Sequence, residues 1–252
     1  MEISKIAAQL YTVRDSTKTA KDFEHTLKKL KAIGYNAIQI SAIGPIDYKE
    51  VKQIADSFDM KICVTHSPFN RLTGDLKNLI TEHKSWNCDY IGLGSLPTEF
   101  RGSYDKQMEF VNILNPITKE MANSGLKFVY HNHRFEFEKF NDKNFFEIVA
   151  ENTNPTEVGF LVDTYWVQAG GASPSKFISK YADRIDIVHL KDMQVMDDKI
   201  TMAEVGEGNM DWQPIMKVCE DINLKWYAVE QDTCYRDPFD SLEISLKNIK
   251  KW

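Results

Sequence analysis

Apolar residues fall into short runs that alternate with longer stretches of helical spacing, from one end of the chain to the other. The first run, Ile6–Val13 (IAAQLYTV), predicts a strand, and Thr19–Ile33 predicts a helix, with Phe23, Leu27, Leu30 and Ile33 on one face and Gly34 as its stop. A second strand, Ala37–Ser41, precedes a helix over Asp47–Asp59 that carries Val51, Ile54, Ala55 and Phe58. The third strand, Lys61–Thr65, leads to a helix near Asp75–Trp86. The fourth, Tyr90–Gly94, leads to a helix across Tyr104–Asn123 that is expected to break or bend at Pro116. The fifth, Lys127–Tyr130, leads to a helix near Lys143–Glu151. The sixth, Val158–Val162, leads to a helix at Pro174–Tyr181, with Ser173 as N-cap and Pro174 at its first position. The seventh, Ile185–Leu190, leads to a helix near Trp212–Ile222, with Asp211 as its cap and Gly206–Asn209 as the turn before it. The eighth, Trp226–Val229, is followed by a closing helix over Asp240–Ile249.

Eight strands alternating strictly with eight helices predict an α/β fold, a single (β/α)8 TIM barrel spanning residues 1–252. An open doubly wound sheet would alternate too, but the first βα turn has no G-x-G-x-x-G. Several strands are apolar on both faces, as expected where helices cover one side and a filled barrel the other.

Composition narrows the function more than the fold. The chain has 252 residues, 42% of them hydrophobic, enough for one large core without a second domain. A net charge of −6 argues against a nucleic-acid partner. Cys63, Cys88, Cys219 and Cys234 form no C-x-x-C pair, so reduced thiols are expected. There is no signal-peptide pattern and no apolar run of membrane-spanning length, so a cytoplasmic location is expected.

In a TIM barrel the chemistry lies at the C-terminal ends of the strands. His66, His131, His133 and His189 fall there, four of the six histidines, where chance would place about one. Glu136, Asp163, Asp192, Glu230 and Asp232 follow the fifth to eighth strands. Imidazoles and carboxylates converging on one mouth suit a divalent metal of borderline hardness. Plainer roles compete: Asp163 as a helix N-cap, His131 and His133 as partners of loop carbonyls, His189 as a core histidine, and His66 in a local turn with Ser67 and Pro68. Glu230, directly after an apolar strand, would be costly to bury without a cation. Trp166 is either packing or an indole stacked on a sugar face.

The stretches AAQLYTVRD, GYNAIQIS, YHNHRFEF, VDTYWVQAGG, VHLKD, VGEGNMDW and AVEQD resemble the xylose isomerase-like, or sugar phosphate isomerase/epimerase, superfamily over nearly the whole chain. The resemblance implies a divalent metal, manganese first, with zinc, cobalt or magnesium as alternatives. It implies ligands at Asp163, His189 and Glu230, with His131 standing where a glutamate is usual. Trp166 stands where histidine is frequent, and Gln39 where glutamate is frequent. The expected activity is isomerisation or epimerisation of a keto sugar or related polyol through an enediolate. Glu230 would be the base, Glu136 or His133 would return the proton, Lys191 would stabilise the oxyanion, and His66, Trp166 and Gln9 would contact substrate. A dehydratase or lyase acting on an inosose-like or 3-keto-glycoside substrate shares the same first step, and a non-catalytic sugar-binding barrel is a further alternative. The expected partner is a small sugar or polyol, with neither nucleic acid nor membrane, and an oligomer is compatible with the sequence.

Overall fold

The structure is a computed structural model that describes residues 2–252. Eight parallel strands close into a barrel: β1 (Ile6–Gln9), β2 (Ala37–Ile40), β3 (Lys61–His66), β4 (Tyr90–Leu93), β5 (Lys127–His131), β6 (Val158–Asp163), β7 (Ile185–Leu190) and, after the hairpin β8 (Asp192–Met196) and β9 (Lys199–Ala203), β10 (Trp226–Val229). The α-helices are α1 (Ala20–Ile33), α2 (Tyr48–Ser57), α3 (Phe69–Gly74), α4 (Leu76–Ser85), α5 (Tyr104–Asn123), α6 (Phe145–Asn152), α7 (Thr164–Ala169), α8 (Pro174–Lys180), α9 (Trp212–Asp221) and α10 (Pro238–Ile249). The expected single (β/α)8 TIM barrel is the observed fold. Among the described residues no helix is long and apolar enough to cross a membrane.

Two apolar layers hold it together. Inside the barrel, Ala7, Ala37 and Ala228 from three adjacent strands share a buried cluster with the larger Tyr90, Leu161 and Ile187, so small and large side chains together fill the closed sheet. Outside, the apolar faces of the helices pack on the strands in a second, larger cluster. Local signals set the helix ends. Thr19 and Asp22 form a capping box at α1, Asn144 and Glu147 form one at α6, and Gly34 ends α1 in the left-handed region at φ 114°.

Several expected boundaries are corrected. The first strand stops at Gln9 because the Gln9 side chain accepts the Tyr11 N–H and turns Leu10–Ser16 into a 3₁₀ segment. The helix over Tyr104–Asn123 runs through Pro116 without interruption. Ser173 and Asp211 stand at N-cap positions but make no side-chain cap bond. The segment after β7 is a hairpin, turning at Asp197 and Asp198 with φ of 51° and 59°, both in the left-handed region that a tight two-residue hairpin turn requires.

His83 on α4 is the structural histidine of the fold. Its Nδ1 donates to Leu79 O at 2.7 Å, and its Nε2 accepts the Thr65 hydroxyl at 2.8 Å. Burial pushes its pKa down to about 4 from 6.5, so the imidazole is neutral near pH 7, which is what lets Nε2 accept. Between these values the unfolded chain binds the proton and the fold does not. This contribution to stability is complete above pH 6.5 and declines as pH falls toward 4, on the order of 3 kcal/mol. Urea unfolding at about pH 7 and about pH 4.5 should show a smaller acid loss in His83→Gln than in the parent protein. An equal loss in both would assign the acid sensitivity elsewhere.

Candidate active site

Strand register brings the strand-end side chains together. Asp163 opposes His189 across β6 and β7, and His131 opposes Leu161, two residues before Asp163. Ala228 opposes His189, and Glu230 continues the ladder by donating its N–H to Leu190 O at 3.3 Å. Since residues two apart share a face, these pairings place four donors around one point. His131 Nε2, Asp163 Oδ2, His189 Nδ1 and Glu230 Oε2 frame it: 3.4 Å from His131 to Asp163, 3.7 Å from Asp163 to His189, 2.9 Å from His189 to Glu230 and 4.0 Å from Glu230 back to His131. All four side chains are buried, and their ligating atoms lie within 4.8 Å of one another. Donors at metal–ligand distances of about 2.0–2.2 Å around a tetrahedral ion stand roughly 3.4 Å apart, so the set fits a divalent metal.

The atoms behind this set orient it. His131 Nδ1 donates to Gly94 O at 3.0 Å, which leaves Nε2 with its lone pair toward the centre. Gly94 also makes room for His66, since a Cβ there would stand 3.0 Å from the His66 ring. His189 Nε2 donates to Gln39 Oε1 at 2.7 Å, and Nδ1 donates to Glu230 Oε2 at 2.9 Å; burial opposes the charged ring, but Glu230 and Asp163 raise it, and an ion at the centre would take the place of the Nδ1 proton. Gln9 donates to Glu230 Oε1, leaving Oε2 for the centre. Asp163 does two things at once. Its Oδ1 accepts the Trp166 N–H at 2.9 Å as an N-cap, and its Oδ2 faces the centre. The N-cap and the candidate donor are thus one residue's two oxygens. Gln39, noted in the sequence only as a departure from glutamate, is the partner that orients His189. Gln39→Leu should lower metal affinity about 10- to 100-fold with all four donors still present, measured by titrating the metal-free protein calorimetrically. Unchanged affinity would remove Gln39 from this role.

Lys191 is buried, with Nζ 2.8 Å from Asp232 Oδ1, 3.1 Å from Glu230 Oε2 and 3.4 Å from Asp163 Oδ2. Burial alone would favour the neutral amine, but the three carboxylates outweigh it and hold the ammonium charged. Burial would likewise raise Glu230, yet Lys191 and His189 bring its carboxyl well below the usual range, so it is ionised. Burial and then the Glu230 charge push Asp232 up. Burial and then the neighbouring histidines hold His66 well below an ordinary imidazole, and the same causes bring His133 to about 3, so both rings are neutral.

A cavity of about 490 Å³ opens over this centre, lined by Gln9, His66, His131, His133, Lys191, Glu230 and Asp232 among others. Asp163 and His189 lie beneath it, fully buried. Trp166 stands beside His133, with ring centroids 5.2 Å apart. Glu136 is not among the lining residues. Its carboxylate accepts the Tyr130 hydroxyl at 2.6 Å and the His133 N–H at 2.9 Å, and burial raises it to about 7. Asp192 also leaves the mouth, accepting the N–H groups of Gly206, Gly208 and Met210 and the Trp212 indole N–H. The Gly206–Asn209 loop is therefore held by an acid from the preceding hairpin. Five buried polar atoms near the strand ends have no partner among the described residues: Gln39 Nε2, His66 Nε2, His133 Nδ1, Trp166 Nε1 and Gln231 Oε1. Such atoms call for a polar ligand or water.

Comparison with known proteins agrees with the barrel fold. The family model for the xylose isomerase-like TIM barrel matches residues 27–252. The chain is 23% identical to inosose dehydratase from Clostridium perfringens over an alignment 294 positions long, gaps included, covering 98% of this chain and 96% of that protein. A sugar phosphate isomerase/epimerase from Parabacteroides distasonis superposes with a TM-score of 0.83 at 22% identity, covering 99% of this chain and 94% of that one. D-allulose 3-epimerase from Methylomonas superposes with a TM-score of 0.72 at 14% identity, covering 100% and 98%. At these identities the superpositions speak to the fold.

Proposed function

The chain belongs to the xylose isomerase-like TIM barrel family, and within it we propose that the protein is a metal-dependent dehydratase of a keto polyol of the inosose type. The observation that carries this is the buried set His131, Asp163, His189 and Glu230 beneath a polar cavity. A divalent metal held by these four would act as a Lewis acid on the substrate carbonyl and acidify the neighbouring C–H. Two imidazoles and two carboxylates suit manganese, zinc or cobalt.

The chain's own residues supply the rest. Glu230, ionised and held by Gln9, takes the α-proton, and the C–H electron pair becomes the C=C bond as the β-hydroxyl departs. The hydroxyl leaves as water by taking that proton from Glu230, which ends the turnover ionised. Lys191 donates hydrogen bonds to the substrate oxygens that carry developing charge. His66 and His133, both neutral, meet substrate hydroxyls with their unpartnered nitrogens, and Trp166 supports His133 from behind. Glu136 acts through the His133 backbone rather than on the substrate.

Isomerisation, the first expectation from the sequence, shares the loss of the α-proton. Epimerisation would also need an acid to return the proton on the opposite face; of the two expected from the sequence, Glu136 is not among the lining residues and the His133 ring, brought to about 3, is neutral. Among the described residues the carboxylates lining the cavity are Glu230 and Asp232, both from the end of β10, and this favours elimination. Metal-loaded protein given an inosose should yield a product lighter by one water, with new enone absorbance. A product of unchanged mass would return the isomerase reading in its place.

A further inference from the structure

We infer that Lys191 is a resident counter-cation, competing with the metal for two oxygens of its own site. The inference rests on the metal-site reading above. The Lys191 ammonium lies 3.1 Å from Glu230 Oε2 and 3.4 Å from Asp163 Oδ2, and these are the oxygens that complete the four-donor set with His131 and His189. Each faces the same point, so an ammonium and a dication cannot both hold them without repelling each other across a buried, weakly screened space. The ammonium has a third and shorter contact, Asp232 Oδ1 at 2.8 Å, and Asp232 is not one of the four.

The formal charges show why three acids accompany one lysine. With His189 as a neutral ligand, Asp163, Glu230 and Asp232 carry three negative charges against the one positive charge of Lys191, leaving two negative, which one divalent ion neutralises. Without metal, Lys191, together with the His189 N–H on Glu230, keeps Asp163 and Glu230 from being buried unpaired, the arrangement that most destabilises a protein interior. With metal, Asp232 keeps the ammonium paired while the other two oxygens serve the ion. The lysine therefore lets the barrel fold empty, at the expense of metal affinity, and the acid beside it gives the ammonium somewhere to stay.

The test is calorimetric titration of Mn²⁺ into metal-free parent protein, Lys191→Met, Asp232→Asn and the double variant, with thermal unfolding of each metal-free form. Lys191→Met should bind Mn²⁺ at least about tenfold more tightly while its metal-free form unfolds at a lower temperature. Asp232→Asn should bind about tenfold more weakly, because the ammonium then stays on the ligand oxygens. In the Lys191→Met background the Asp232 change should lose its effect, which separates action through the lysine from a general loss of negative charge. Unchanged or weaker binding by Lys191→Met overturns the inference. If that variant does not fold, Asp232→Asn decides alone, and unchanged or tighter binding overturns it. Binding by the parent protein with no response to either substitution discards only the role of Lys191. Failure of the parent to bind Mn²⁺ overturns both this inference and the metal-site reading beneath it.

Discussion

Glu230→Gln should abolish turnover, by about 10³- to 10⁴-fold, in a protein that still folds. The amide keeps the shape of the side chain and an oxygen for the Gln9 hydrogen bond, so the barrel core and the end of β10 remain in place. It loses the negative charge that Lys191 and His189 stabilise, and with it the ability to take a proton from carbon. In protein saturated with metal the loss should appear in kcat rather than in KM, since His66, His133 and Lys191 still meet the substrate hydroxyls, while the amide, a weaker ligand than the carboxylate, lowers metal affinity as well. Circular dichroism and thermal unfolding close to those of the parent, beside a kcat lost to background, is the expected pair of results. Retained turnover would dismiss Glu230 as the base and move the chemistry elsewhere in the cavity.

The second large effect is expected of His189→Ala, which should lower metal affinity by more than about 100-fold and remove turnover with it. His189 touches both carboxylates of the centre, at 2.9 and 3.7 Å, and Gln39 holds its ring in the ligating orientation. Truncation leaves two buried acids with Lys191 as their remaining counter-charge, so some loss of stability should accompany the loss of metal. Metal content by mass spectrometry of protein purified without chelator reads this directly. Stoichiometric metal in the variant would show that the four donors do not act as one site.

These effects were legible in the chain to different degrees, for physical reasons. Asp163, His189 and Glu230 announce themselves because each stands in or directly after an apolar strand, where a polar group needs a partner. The barrel follows from eight such strands separated by amphipathic helices. The stop of β1 at Gln9 was hidden because Leu10, Tyr11 and Val13 continue a strand-like apolar run, while the turn depends on one side-chain-to-backbone bond. The β8–β9 hairpin was hidden by its exposed apolar residues, Val195 and Ile200. Its signal was the Asp197-Asp198 pair between two alternating segments. Asp192 and Glu136 look alike in sequence to the acids of the mouth. Only the fold shows that the first holds the loop before α9 and the second holds the backbone beneath His133. Gln39 and Asp232 took on their roles only once register had placed them beside His189 and Lys191.

The most direct test of the account is the dependence of water loss on metal occupancy. Protein stripped of metal and dialysed should produce no enone from an inosose, and activity should return in proportion to added Mn²⁺ or Zn²⁺ up to one ion per chain. Water loss at full rate by the metal-free protein would contradict the account, and so would fully metal-loaded protein that leaves every keto polyol unchanged.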